Sequence, residues 1–217
     1  MTTYYLPSCR YKAAHTESSQ KIQNYLRTKE DLSIAGCCRV SQHLFHEGDT
    51  VLTNCTSCAI ITDEVSPQAN EISIYEYLLN DPTFVWPDYN GEEITVQDCY
   101  RSRHKPETQH AVRECLRRMN MVPVELEENY ENTQFDGVFR YQEISESNLK
   151  LAPKYFTKLK NEYITVIPKD EQKAEMERWV SQYKTKRVVV YCNSCLTGVL
   201  LGGADGIHLL DLITRDL

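Results

Sequence analysis

The sequence predicts an α/β fold of two pseudo-repeated lobes, each a small parallel sheet flanked by helices, with cysteines at the C-terminal ends of strands. Three observations lead there. Two C-x-x-C turns, Cys55-Thr56-Ser57-Cys58 and Cys192-Asn193-Ser194-Cys195, nearly copy one another. Each follows an apolar β-type run, residues 50–53 and 187–191, and each precedes aliphatic residues suited to a helix. The order strand, cysteine, helix also recurs at equivalent places on both sides of residue 88, which is the mark of a duplicated unit.

Taken in order, residues 3–7 read as a short strand ending at Cys9, and 18–26 as a helix with Ile22, Tyr25 and Leu26 on one face. Residues 50–53 form the strand that delivers the first C-x-x-C turn, and 72–79 a short strand running into a helix. A turn-rich linker with Pro82 and Asn90-Gly91 spans 80–91, so the chain divides near 88 into a first repeat, 1–88, and a second, 89–217. Residues 93–97 are a strand ending at Cys99. In the following helix, 107–119, Val112, Cys115, Leu116 and Met119 share one face, which makes Cys115 a core residue. The second C-x-x-C turn follows at 192, and 207–213 closes this half as 72–79 closes the first. Between residues 136 and 192 lies extra material, with Pro153, Tyr155, Phe156 and a charged helix around 170–183, long enough to cover one face.

Composition narrows the chemistry. Lys+Arg of 24 against Asp+Glu of 31 gives −7, the wrong sign for a module that pairs cations with nucleic-acid phosphates. The first residues lack a basic stretch followed by an apolar run, and nowhere do 18 apolar residues run together, so a soluble, cytoplasmic chain without membrane insertion is expected. Nine cysteines in a reducing compartment, an odd number, point to metal or redox chemistry rather than a disulfide framework. A C-x-x-C turn at a strand-to-helix junction suits that chemistry. Two thiolates on one turn converge on a single ion, and the free N–H groups of the helix start favour negative sulfur.

The order Cys9, adjacent Cys37-Cys38, then Cys55 and Cys58 resembles the cysteine-rich CCG domain family of heterodisulfide reductase-like iron–sulfur and zinc-binding proteins. Asp98-Cys99-Tyr100-Arg101 resembles the strand-end cysteine that opens the second repeat of that family, and the resemblance spans nearly the whole chain. It implies an iron–sulfur cluster, in some members a noncubane four-iron type, held by Cys9, Cys37, Cys38, Cys55 and Cys58. It also implies disulfide or thiol redox chemistry or electron transfer, with a redox protein or a small thiol or disulfide as partner. Zinc replaces the cluster in one repeat of some members. Arg39 stands where the family has glycine, and 16 residues between Cys38 and Cys55 are fewer than usual there. In the second repeat no adjacent cysteine pair exists, and Phe135-Asp136-Gly137 falls over the family's Cys-Cys-Gly. That alignment yields Cys99, Asp136, Cys192 and Cys195 as ligands for zinc or a mononuclear iron. The alternative is a degenerate remnant in which Asp136 is a turn residue before Gly137.

Five thiolates at one locus carry −5, which needs cationic metal to neutralise it. His15, His43 and His46 are surrogate ligands by position, or capping and surface residues. Tyr11, Arg39, Tyr100, Arg101, Arg103 and His104 follow the cysteine-bearing strand ends, where α/β folds bind ligands. There they could bond cluster sulfurs or a substrate carboxylate, or simply lie at the surface. The acids of 125–131 read as a solvated loop. Two functions remain: an iron–sulfur redox protein, or a zinc-stabilised binding module without redox chemistry.

Overall fold

Short apolar strands feeding helices build the same unit twice in the computed structural model, which describes residues 1–217. In the first lobe β1 (Thr3–Leu6), β2 (Leu32–Ile34), β3 (Thr50–Thr53) and β4 (Asn70–Ser73) form a parallel sheet in the order β2-β1-β3-β4. Its helices are α1 (Cys9–Ala14), α2 (Thr16–Leu26), α3 (Thr56–Val65) and α4 (Ile74–Leu79). The second lobe repeats it, with β5 (Glu93–Val96), β6 (Val122–Val124), β7 (Arg187–Val190) and β8 (Asp205–His208) in the order β6-β5-β7-β8, again all parallel. Here the helices are α5 (Pro106–Arg118), α6 (Glu146–Leu151), α7 (Pro153–Glu162), α8 (Lys169–Val180), α9 (Asn193–Leu201) and α10 (Leu209–Ile213). The expected two-lobe α/β architecture is therefore the observed one.

The central strands show why these sheets are covered on both faces. Val51 and Leu52 of β3 and Val188, Val189 and Val190 of β7 are all buried, a continuous apolar run of the kind that parallel sheets require. Register places Thr3 opposite Thr50 in the first sheet and Thr95 opposite Val188 in the second. The edge strands β2 and β6 have no counterpart among the expected elements. Each is three residues long and not fully buried, and Pro123 sits in β6, tolerable because an edge strand can spare an N–H. Helix α1 is a further addition to the expected elements. It starts at Cys9 itself and is capped by Ser8, whose hydroxyl accepts from the Tyr11 N–H.

The lobes are locked by exchange across the seam. The last helix of the first lobe, α4, packs on α5 of the second, and α10 packs on α2 of the first. One buried cluster accordingly runs through both, joining Leu52, Ile74 and Leu78 to Val112, Leu116 and Leu209. The extra material after Asp136 covers the first lobe: Phe156, Leu159 and Tyr163 of the α7 region pack with Leu6, Phe45, Val51 and Ile61. Glu64 fixes the start of α7 by accepting from the Lys154 and Tyr155 N–H groups at 2.8 and 2.9 Å, a carboxylate at a helix N-terminus. Arg39 ties the cysteine-pair loop to α6 by donating to Ser147 Oγ and Asn148 Oδ1, both at 2.6 Å. No helix is long and apolar enough to cross a membrane.

Candidate metal centres at the strand ends

Parallel strands point their C-terminal ends the same way, so residues just beyond them share one edge of the sheet. Cys99 follows β5, Cys192 follows β7 as the N-cap of α9, and Cys195 lies in the first turn of that helix. Asp136 arrives from the loop after β6 and begins a 3-10 turn, Gly137–Tyr141. Their donor atoms all lie within 4.8 Å of one another, and all four residues are buried. Three thiols and a carboxylate form a group that could hold a metal ion. Around zinc, with metal–sulfur bonds of about 2.3 Å, sulfurs stand roughly 3.8 Å apart, so small side-chain rotations would close the set.

Gly137 makes this approach feasible. Its φ of +55° is left-handed, and a Cβ there would lie 2.0 Å from the Ser194 carbonyl oxygen. The 3-10 turn is thereby pressed against the start of α9 with no side chain between. Gly198 completes the contact, since its own Cβ would meet the Gly137 Cα at 2.6 Å.

The carboxylate is not free. Arg101 donates through Nε to both Asp136 oxygens at 2.9 Å and approaches Oδ1 through Nη2 at 2.8 Å, with both side chains out of water. The same guanidinium donates to Cys192 Sγ at 3.2 Å and to Ser57 Oγ in the other lobe. A carboxylate offers about four lone-pair directions. Three of its contacts, from Arg101 Nε, Arg101 Nη2 and the Cys99 thiol at 3.3 Å, crowd on Oδ1, whereas Oδ2 accepts only from Arg101 Nε and keeps a lone pair for an ion. Burial raises the Asp136 carboxyl to about 6, with Arg101 opposing the rise. A hydrogen bond from Cys195, supplemented by Arg101, holds Cys192 well below the ordinary thiol range, while burial pushes Cys99 and Cys195 up. With a divalent ion the set carries −2, and Arg101 reduces this to −1.

The first set lies across the seam. Its thiols neighbour one another in pairs, Cys9 with Cys37, Cys37 with Cys38, Cys38 with Cys58, and Cys58 with Cys55, a file that, unlike the second set, does not bring its donor atoms together around one point. Cys38 and Cys58 are buried, Cys37 and Cys55 half-buried, and Cys9 is exposed at the start of α1. Hydrogen bonding with the Cys58 thiol draws Cys55 down to about 6 and lowers Cys38, and Cys58 itself, buried between those two sulfurs, is pushed up. Cys9, Cys38, Cys55 and Cys58 line a cavity of about 60 Å³ together with Arg39, Arg101, Cys192 and Asn193. The sulfur file therefore ends beside the second set. No family model, curated protein or solved structure matches the chain.

Other residues singled out by position have different uses. Tyr11 donates to Asp211 Oδ1 and His15 pairs with Asp211 Oδ2, both at 2.8 Å, while His43 and His46 are exposed. Tyr100 stacks on Tyr163 with ring centroids 3.5 Å apart, and Arg103 donates to the Glu131 carbonyl. His104 lines a surface groove with Lys154 and Lys158. Cys115 is core, its thiol near the Tyr75 carbonyl. The acidic loop needs a correction: Glu125 does not merely face solvent but accepts from buried Arg113 at 2.9 and 2.8 Å, and Arg113 is also gripped by Asp98. What sequence reasoning misses is the cross-lobe contact of Thr56. Its hydroxyl lies 3.7 Å from Cys192 Sγ, and although the two turns are nearly identical, their spacing alone does not contain this relation.

Proposed function

We propose that the protein is an iron–sulfur redox protein of the kind that the CCG resemblance implies, working in electron transfer or thiol and disulfide chemistry. The observation that carries this reading is the file of five thiols at the strand ends of the first lobe, leading from exposed Cys9 inward to Cys55 beside the second set. Cys9, Cys37, Cys38, Cys55 and Cys58 fit a cluster by donor chemistry, because soft thiolates select iron–sulfur centres or zinc and so much thiolate charge needs several cations nearby. A cluster supplies single electrons and an iron site open to an external thiolate. The chain's residues do the rest. Exposed Cys9 and the cleft give access from solvent, buried Cys38 and Cys58 exclude water, and Arg101 supplies fixed positive charge. Reducing a disulfide takes two electrons and two protons and yields two thiols, so a cluster that passes single electrons would have to be reduced twice in succession by a redox partner.

Cys99, Asp136, Cys192 and Cys195 fit a single tetrahedral ion, zinc or iron, in a structural or charge-setting role. A four-donor set closed in by Arg101 leaves no open face of the kind the first set has. The deciding experiment is metal and acid-labile sulfide analysis after anoxic purification. Brown protein with iron and sulfide in excess of one iron per chain supports the reading. Colourless protein holding zinc alone refutes it in favour of a metal-stabilised binding module.

A further inference from the structure

The two C-x-x-C turns are structural counterparts, and the residue after the first cysteine of each crosses the seam. Cys55 and Cys192 cap their helices with nearly the same backbone, φ −143° and ψ 123° against φ −140° and ψ 127°. Thr56, after Cys55, sends its hydroxyl to the sulfurs of the opposite set, 3.7 Å from Cys192 Sγ and 3.9 Å from Cys99 Sγ. Asn193, after Cys192, is its counterpart and lines the first-lobe cavity with Cys9, Cys38, Cys55 and Cys58. Its Nδ2 and Oδ1 are both shielded from solvent, and neither has a hydrogen-bond partner. A primary amide buried with all its bonds unmade is costly, and such groups are rare unless something outside the chain completes them.

We infer that Asn193 is a positioning residue for the first centre, its Nδ2–H donating to a metal-bound sulfur held by the first cysteine set. The inference rests on the reading of that set as an iron–sulfur site. Each lobe then holds its own centre by its cysteines and supplies one hydrogen-bond donor to its neighbour's, Thr56 in one direction and Asn193 in the other. A donor to sulfur favours the reduced state, which carries one more negative charge, so Asn193 raises the reduction potential.

The test uses the full chain purified without oxygen, with Asn193→Ala, Asn193→Asp and Asn193→Thr compared by iron and sulfide content and by redox titration at fixed pH. Asn193→Ala is expected to keep its iron and to shift the one-electron equilibrium about tenfold toward the oxidised form, about 59 mV. Asn193→Asp, which cannot donate and adds charge, shifts it further. Asn193→Thr, which installs the hydroxyl found at Thr56, keeps the wild-type potential. An unchanged potential in iron-loaded Asn193→Ala overturns the inference while leaving the centre in place. Wild-type chain without iron or sulfide overturns the centre and the inference with it. If Asn193→Ala does not load, Asn193→Thr decides: loading at the wild-type potential supports the role, and loading at a lower potential overturns it.

Discussion

Arg101 and Asp136 form a fork-to-fork pair in which neither partner is exposed to water, at 2.8–2.9 Å, and the same guanidinium reaches Cys192 Sγ at 3.2 Å. The carboxylate is thus held in place before any metal arrives, which removes much of the ordering cost of ligation. Removing one member of such a pair leaves a buried charge unmatched, typically about 3–5 kcal/mol. Asp136→Ala should therefore lose the ion of the second set and also lower the melting temperature, about 2–4 °C per kcal/mol for a chain of this size. Cys115→Ser serves as control, because Cys115 lies in the core away from both sets, and its metal content should match wild type. Equal metal content in Asp136→Ala and wild type would remove Asp136 from the ligand set.

The adjacent pair Cys37-Cys38 links the exposed and buried ends of the sulfur file. Replacing both by serine substitutes hard hydroxyls for soft thiolates, so most iron and sulfide should disappear while the second ion stays. Parallel metal analysis of this double variant and of Asp136→Ala should show loss from different sites. A double variant with wild-type iron content would refute the assignment of the first set.

The repeated turns make the lobes legible because the β-branched runs before Cys55 and Cys192 and the helices after them are local patterns, decided within about ten residues. Strands β2 and β6 are not legible for the opposite reason. Leu32–Ile34 and Val122–Val124 are edge strands of three residues, paired on one side only, and their existence depends on β1 and β5 offering a free edge. The meeting of Asp136 with Cys99, Cys192 and Cys195 is expected from setting Phe135-Asp136-Gly137 over a cysteine pair, and its physical cause is Gly137 at φ +55°, which allows close backbone approach to α9. The pairing of Arg101 with Asp136 across 35 positions has no sequence period and forms only when the loops after β5 and β6 meet within the second lobe, and that of Thr56 with Cys192 across 136 emerges only when the lobes pack.

Gly137 and Gly91 both have left-handed backbones, φ +55° and +79°, but differ in what a methyl group would meet. Nothing lies within 4 Å at Gly91, so Gly91→Ala should cost only the conformational term, about 1–2 kcal/mol. At Gly137 the methyl would sit 2.0 Å from the Ser194 carbonyl oxygen, which forces the 3-10 turn away from α9. Overpacking of this kind typically costs a further 1–3 kcal/mol or more. Moving that turn moves Asp136, so Gly137→Ala should also lose the second ion, whereas Gly91→Ala should keep it. Urea denaturation with metal analysis of both variants checks this, and equal costs at the two positions would contradict the close-packing argument.

His208 links fold stability to pH. The ring is fully buried against Tyr11 and near His15, with centroids 4.5 and 5.7 Å away, and its Nδ1 accepts from the Leu210 N–H to cap α10. Nε2 therefore carries the proton of the neutral ring. Burial pushes the pKa down to about 4, against a partial pull upward from Asp211. The sign follows from comparing states. An unfolded chain takes up a proton near 6.5 that the folded chain refuses until about 4, so this stability is complete above 6.5 and is lost as pH falls toward 4. At about 1.4 kcal/mol per pH unit over roughly 2.5 units, the loss is on the order of 3 kcal/mol. His208→Asn keeps a side-chain oxygen at the cap and cannot titrate. Carboxylates protonate in both proteins over the same range, so their contribution cancels in the difference. The stability gap between wild type and His208→Asn, measured by urea unfolding, should narrow by about that amount between pH 7.5 and 4. A gap that stays constant over that range would mean that His208 does not carry the linkage.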